Sequence, residues 1–330
     1  MRRTGEDTSA AKATSGDSGK GHEPNGALAA SKPNCAQPTA SDTGCSAEAE
    51  ATGPAPGLHL VATPIGNLGD VSLRALAVLR GVDRIFCEDT RVTAKLLARY
   101  CIGTPLEAYH DHNAERVRPR VLAALRGGER VALVSDAGTP LVSDPGYKLV
   151  RAAIAEGLPV TAAPGASAAL TALILSGLPP GTFLFAGFLP KQQTARRRAL
   201  ARWATLEASL IFYEAPPRLA ATLADMVEIL GPRKAAVARE LTKLHEEVRR
   251  GALTDLAGHY RDHGPPRGET VIVIGPPEPA ELDPEDIDRR LRAALAGLGV
   301  RDAAAKLAAE TGLGRAELYR RALAIRDGKR

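Results

Sequence analysis

The chain has 330 residues, of which 44% are hydrophobic and 25% charged, with a formal net charge of +5. That is enough length and apolar content for two medium-sized cores, and no apolar run reaches the ~20 residues of a membrane span. The basic start Met1-Arg2-Arg3 is not followed by an apolar segment, so no secretory signal is expected and a cytoplasmic protein is. The cysteines (Cys35, Cys45, Cys87 and Cys101) lack Cys-x-x-Cys spacing, which argues against a disulfide framework or a zinc site; no metal is expected.

Residues 1–57 hold one large aliphatic side chain besides Met1, Leu28, and five Lys/Arg against seven Asp/Glu. Such a segment cannot offset its ordering entropy by burial, so a disordered tail is expected there. Its net −2 within +5 overall leaves +7 on the remainder, a balance that suits a polyanionic partner.

From Leu58 a strand and helix rhythm begins. Apolar runs at 58–63, 84–87, 131–135 and 160–163 alternate with amphipathic stretches at 72–80, 93–100, 114–126 and 147–156. That alternation predicts a mostly parallel sheet with helices on its faces, forming an N-terminal α/β domain over 58–178. A second α/β domain is expected over 179–277, with strands at 182–188, 209–213, 235–238 and 270–274 and helices at 194–206, 217–230 and 254–262. After Pro276-Pro277 a Pro- and acid-rich linker leads into a helical module, completing 278–330. Arg301–Glu310, the turn Thr311-Gly312-Leu313-Gly314 and Arg315–Ile325 read there as a helix-turn-helix, with Ala308, Gly312 and Leu318 at the spacing of close approach, turn and core. This module reads either as an RNA-docking appendage or as a helical hairpin bracing the body.

Three turns of small residues each follow an apolar run: Ala62–Leu68 (ATPIGNL), Val134–Pro140 (VSDAGTP) and Ala163–Ala168 (APGASA). Small residues let a ligand touch bare backbone, and turns on successive parallel strands point to one crevice at their carboxyl ends. None is a phosphate loop or a Gly-x-Gly-x-x-Gly turn, so a nucleotide-like ligand would not be held mainly by phosphates.

These turns belong to a longer series: ATPIGNL, Glu88–Arg91 (EDTR), His110–Asn113 (HDHN), Ser135–Gly146 (SDAGTPLVSDPG), Gly187–Pro190 (GFLP), Phe212–Glu214 (FYE) and Arg239–Lys243 (RELTK). In this order and spacing, over about residues 58–277, the chain closely resembles the small-subunit (16S) ribosomal RNA cytidine-2′-O-methyltransferase branch of the tetrapyrrole-methylase superfamily. The resemblance implies two α/β domains with S-adenosylmethionine in the cleft between them, a C-terminal helix-turn-helix-like module, a homodimer, and 2′-O-methylation of a cytidine in the decoding region of the small ribosomal subunit. It also implies a cofactor set of Pro64, Gly66 and Asn67; Gly138, Thr139 and Pro140; Ser167 and Ala168; and Tyr213 with Thr270. One departure stands out: Pro217 occupies the place where the family commonly has histidine in Ser-Pro-His-Arg.

Methyl transfer from a sulfonium is an in-line displacement that needs alignment and a route for the departing proton. Glu88, Asp89 and Arg91 at one strand end are candidates for that work, although Asp89 reads equally as a helix cap. His110, His112 and Asn113 follow another short strand, and either histidine titrates near neutrality; capping of the next helix is the alternative. Lys243, with Glu240 as partner, is a further candidate for activating the hydroxyl or holding a phosphate, or forms a plain surface ion pair.

Lys191, Arg196, Arg197, Arg198 and Arg202 form a basic run with no acid among them, read as an RNA phosphate contact or as a solvated helix face. Two other functions compete: methylation of a small tetrapyrrole, against which the basic run and C-terminal module argue, and a ligand-sensing nucleic-acid-binding regulator, which leaves the polar blocks unexplained.

Overall fold

The computed structural model describes residues 53–278 and 283–328; residues 1–52 of the disordered tail expected at 1–57, and most of the expected linker, lie outside those residues. Residues 53–57, assigned by sequence to the tail, are ordered: Ala55 O accepts from the His59 ring at 2.8 Å, and Gly57 opens the first strand.

The first sheet is parallel throughout. It contains β1 (Gly57–Val61), β2 (Arg84–Cys87), β3 (Leu106–Ala108), β4 (Arg130–Val134) and β5 (Val160–Ala163), in the order β3-β2-β4-β1-β5. Because side chains alternate along a strand, each strand feeds two cores. Ala132 and Val134 of β4, with Ile85 and Cys87 of β2, pack with Leu76 and Leu79 of α1 (Leu73–Gly81) and Leu96 and Leu97 of α2 (Thr90–Arg99). Val131, Leu133 and Phe86 face the other way, onto Val117 and Val121 of α3 (Ala114–Arg126) and Leu149 of α4 (Tyr147–Ala155). Cys87 is a buried free thiol, its pKa pushed up to about 11 by burial. Cys101 is disulfide-bonded, against the expectation from cysteine spacing.

The second sheet is mixed: β6 (Phe183–Phe188), β7 (Ser209–Glu214), β10 (Thr270–Ile274), β8 (Lys234–Arg239) and β9 (Glu247–Ala252) lie in that order, with only β6 and β7 parallel. One face carries Leu210, Phe212 and Ile272 against α6 (Gln193–Ala201), α7 (Leu219–Leu230) and α8 (Leu253–His263). The other face carries Ile211, Val271 and Val273 against Ala169, Ala172 and Leu173 of α5 (Ala168–Ser176), with Ile65 from the loop after β1. A helix that follows the first sheet in sequence thus packs on the second.

Three elements escape the sequence reading. Helix α5 is apolar nearly all round and shows no stripe; β9 is an edge strand carrying Arg249 and Arg250; and α9 (Pro284–Leu295) stands ahead of the two helices read as a helix-turn-helix. With α10 (Val300–Thr311) and α11 (Arg315–Arg326), α9 builds a separate core of Ile287, Leu291, Ala304, Leu307, Leu318 and Ala322. Gly312, at φ +71°, closes α10 by donating to Ala308 O at 2.9 Å, the left-handed stop expected of glycine.

Helices α6 and α7 are joined by charge rather than oil alone. The Asp225 carboxylate, 1% exposed, accepts from Arg196 Nε at 2.6 Å, Arg197 Nε at 2.7 Å and Gln193 Nε2 at 3.0 Å. Arg196 is itself 7% exposed at its side chain. Removing one member of such a pair strands a buried charge. Arg196→Ala is therefore expected to lower stability by about 3–5 kcal/mol, read as a fall in urea midpoint, whereas Arg196→Met combined with Asp225→Leu should recover most of the loss.

Candidate functional site

The site begins with backbone. Strands β4, β1 and β5 are neighbours, so the turns that follow them meet. Thr63 and Gly138 exchange backbone hydrogen bonds of 2.9 and 3.0 Å, the Thr63 hydroxyl donates to Ser135 O at 2.9 Å, and the Thr139 hydroxyl donates to Ala166 O at 3.1 Å. Ser167 caps α5. The second turn is strained: Gly138 lies at φ +85°, and two residues with side chains, Leu141 and Ser143, at +71° and +68°. Strain of this kind persists only where the surroundings over-determine it.

Between these turns and the second sheet lies a cavity of about 400 Å³, within the size range of small-molecule sites. Gly138, Thr139, Ser167 and Ala168 form its wall on the side of the first sheet, Tyr213 and Thr270 on the side of the second. The other residues implied by the resemblance, Pro64, Gly66, Asn67 and Pro140, do not line it. Gly66 has a different reason to be glycine: a Cβ there would stand 2.5 Å from Lys243 Cγ and 3.0 Å from Leu241 O. Asn67 accepts from Gly69 N and caps a short 3-10 turn.

Several wall residues were not singled out by sequence. Ile65, Asp144, Phe188, Leu241 and Glu269 all line the cavity. Ile65, Asp144, Phe188 and Leu241 all stand within the quoted blocks, while Glu269 lies outside them. Tyr213 is braced by Phe185 and Phe188, at ring separations of 4.9 and 5.6 Å. Glu214 is buried and accepts from Thr222 Oγ1 at 2.6 Å and Ala215 N at 2.8 Å, with Arg218 at 3.3 Å. Pro217 is exposed in the turn Pro216–Arg218 and does not line the cavity, whereas Pro216 does.

The acidic candidates separate into two kinds. Asp89 caps α2, accepting from Arg91 N, and pairs with the Arg91 guanidinium at 2.6 Å, which holds its carboxyl down at about 2. Both residues are committed to that cap, and neither lines the cavity. Glu88 is exposed and does not line the cavity either; partial desolvation and then the negative charges of Asp136, Asp144 and Asp111 raise it above the ordinary carboxylate value, with His110 opposing. Asp136 also accepts Asp89 N at 2.9 Å. Asp144, hydrogen-bonded by the Ser135 hydroxyl, is likewise raised by burial. Glu88 therefore shares the electrostatic field of a carboxylate in the cavity wall.

His110 Nδ1 is buried without a hydrogen-bond partner, and its ring lies 6.0 Å from that of exposed His112. Asn113 holds their loop, accepting from His110 N at 2.9 Å and donating to Ala108 O at 3.0 Å; it makes no side-chain cap to α3. Lys243 sits beside the wall residues Leu241 and Glu269, its ammonium 2.8 Å from Glu240 and 2.9 Å from Glu269. Burial works against its charge, but these two carboxylates outweigh it and hold the pKa above the ordinary value. A lysine so held is a cation and not a proton acceptor. Its loop is also strained, with Glu240 and Thr242 at φ +48° and +66°.

The basic run on and around α6 divides in the same way. Arg196 is buried and Arg197 is paired with Asp225 and Glu228, so these two are structural cations and not phosphate contacts. Lys191, Arg198 and Arg202 are exposed. Among the described residues no group of three or more His, Cys, Asp or Glu is placed to hold a metal, and no helix is long and apolar enough to cross a membrane.

Two α/β sheets enclosing a cavity walled by three backbone turns define a class. Residues 57–257 match the Tetrapyrrole (Corrin/Porphyrin) Methylases, and the chain belongs to that family. Residues 281–326 match the RsmI C-terminal HTH domain. The chain is 52% identical over 273 residues to "Ribosomal RNA small subunit methyltransferase I" of Mesorhizobium japonicum, covering 82% of this chain and 93% of that protein. It is 53% identical over 271 residues to the protein of the same name from Erythrobacter litoralis, covering 82% and 96%. Among solved structures it resembles the methyltransferase CobJ, with a TM-score of 0.52 at 22% identity over 67% of this chain and 94% of that one, a likeness of fold.

The cavity suits S-adenosylmethionine, since its walls mix bare backbone at Gly138 with apolar Ile65, Ala168 and Phe188 and the acidic residues Asp144, Glu214 and Glu269. A Cβ on Gly138 would meet Ile65 Cγ2 at 3.3 Å in a backbone conformation that side chains rarely adopt. Gly138→Val is expected to reshape this wall and abolish cofactor binding while the two sheets persist. Calorimetric titration with S-adenosylmethionine checks this; unchanged affinity removes the turn from the pocket.

Proposed function

We propose that this chain transfers the methyl group of S-adenosylmethionine to the ribose 2′-oxygen of a cytidine in 16S ribosomal RNA, in the decoding region of the small subunit. The observation that carries this reading is the likeness to relatives named ribosomal RNA small subunit methyltransferase I, which spans both sheets and the helical module. When bound, the cofactor supplies an electrophilic methyl group on sulfur. Gly138, Thr139, Ser167, Ala168, Tyr213 and Thr270 hold it, with Ile65, Asp144 and Leu241 completing the wall.

The chain's remaining task is the proton of the hydroxyl. Glu88, raised by partial desolvation and neighbouring acids, is the acceptor matched to work nearer neutral pH than an ordinary carboxylate. His110, with its unpartnered Nδ1, orients the ribose or relays that proton. Lys243 keeps its charge and fits a phosphate at the rim, and exposed Lys191, Arg198 and Arg202 extend that contact along the RNA. The test is mass mapping of nucleosides in small-subunit RNA from a deletion strain before and after complementation. Loss and return of one 2′-O-methylcytidine is expected; a methyl group lost from a base atom overturns the assignment.

The protein works as a homodimer in this reading. Helix α5 buries Leu173 under the second sheet but leaves Leu170 49% and Ile174 72% exposed one turn apart, and Leu73 and Leu244 are exposed at 85% and 93%. Leu170 and Ile174, neighbours on one face of α5, supply the start of an association surface. Light scattering is expected to read two chains per particle, and Ile174→Asp to reduce it to one.

A further inference from the structure

A second cavity, of about 390 Å³, lies in the C-terminal module, where the end of α9 and the loop to α10 meet the end of α11. Its lining is mixed: Leu295, Leu298, Val300 and Ile325 supply the large apolar side chains, beside polar and backbone surface. Its charged members are two arginines, Arg292 from α9 and Arg326 from α11, and no acidic residue lines it. Three other arginines of the module are neutralised. Arg289 and Arg290 pair with Asp286, and Arg321 pairs with Asp288. Arg292 has no ion pair among the described residues, and Arg326 shares one edge with Asp327 at 3.0 Å. Nothing in the module's own core of Ile287, Leu291, Ala304, Leu307, Leu318 and Ala322 requires cations at this place.

We infer that this cavity seats a single unstacked base of the RNA substrate on Leu295, Leu298 and Ile325, with Arg292 and Arg326 taking the flanking phosphates. Apolar side chains with two arginines beside them suit single-stranded nucleic acid, which offers an exposed base face and a charge at every linkage. A duplex keeps its bases stacked and offers only phosphate. The module therefore reads an opened strand, and holds one nucleotide while a different one enters the cavity between the sheets. This rests on the RNA reading above, but is measured without methyl transfer.

The experiment uses the full chain and a fluorescein-labelled single-stranded RNA of about eight nucleotides, compared with the same sequence paired into a duplex, by anisotropy across a salt series. The wild type is expected to prefer the single strand. Arg292→Gln with Arg326→Gln should reduce the salt slope on the single strand by about 1.4, two contacts at roughly 0.7 each. Leu298→Ser, at a residue already 40% exposed, should weaken single-strand binding by roughly tenfold and leave the salt slope unchanged. Wild-type affinity in both variants, or equal losses on single strand and duplex, overturns the inference. A protein that methylates ribosomal RNA while both variants bind like wild type overturns this cavity's role and leaves the proposed activity standing. Selective loss of single-strand binding in a protein that methylates no ribosomal RNA does the reverse.

Discussion

The whole arrangement depends on a backbone contact between turns. Thr63 and Gly138 exchange hydrogen bonds across the ends of β1 and β4, and this pair fixes where the first sheet stops and the cavity starts. A parallel sheet leaves the carboxyl ends of its strands free, so loops there must satisfy one another or water. Here they satisfy one another through Thr63, Ser135, Thr139 and Ala166. What is left pointing outward is mostly backbone and small side chains. The second sheet then closes the space, because Ile65 and α5, chain neighbours of those turns, are part of its core. Cavity and fold are one piece of construction, and the strain at Leu141 and Ser143 is held by that construction.

How far sequence could go follows from the same physics. Strands β2, β5 and β10 were legible to the residue because each is a short run bounded by turn residues. Helix α5 was not: a helix that touches the first-sheet turns on one side and the second sheet on another, and leaves Ile174 exposed on a third, has no polar face to give it a period. Edge strand β9 reads as polar loop because its outer side has no partner. Helix α9, left unassigned at the start of the C-terminal module, carries plain start signals: Asp283 caps, Pro284 takes the first position, and Glu285 and Asp286 fill the first turn.

At the site, residue type was a better guide than role. The glycine of the second turn belongs to the cavity wall, but Gly66 is small to admit Lys243 and Leu241. Asp89 and Arg91 answer each other across the start of α2, a local pairing that sequence can suggest but not decide. Glu88 and Asp144 lie 56 positions apart and share a field only because β2 and β4 are neighbours in the sheet. No spacing rule along the chain encodes that proximity. The basic run likewise looked uniform until Asp225, from α7, drew off two of its five cations.

That division gives α6 two sides with different freedom to change. Gln193, Arg196 and Arg197 serve a buried carboxylate, so substitution at these positions is charged against folding. Lys191 and Arg198 are exposed, and exchanges there leave stability within a few tenths of a kcal/mol, while Arg202 lies over the Trp203 ring at 6.0 Å. The charge of this exposed side can therefore be retuned one cation at a time without reopening the core.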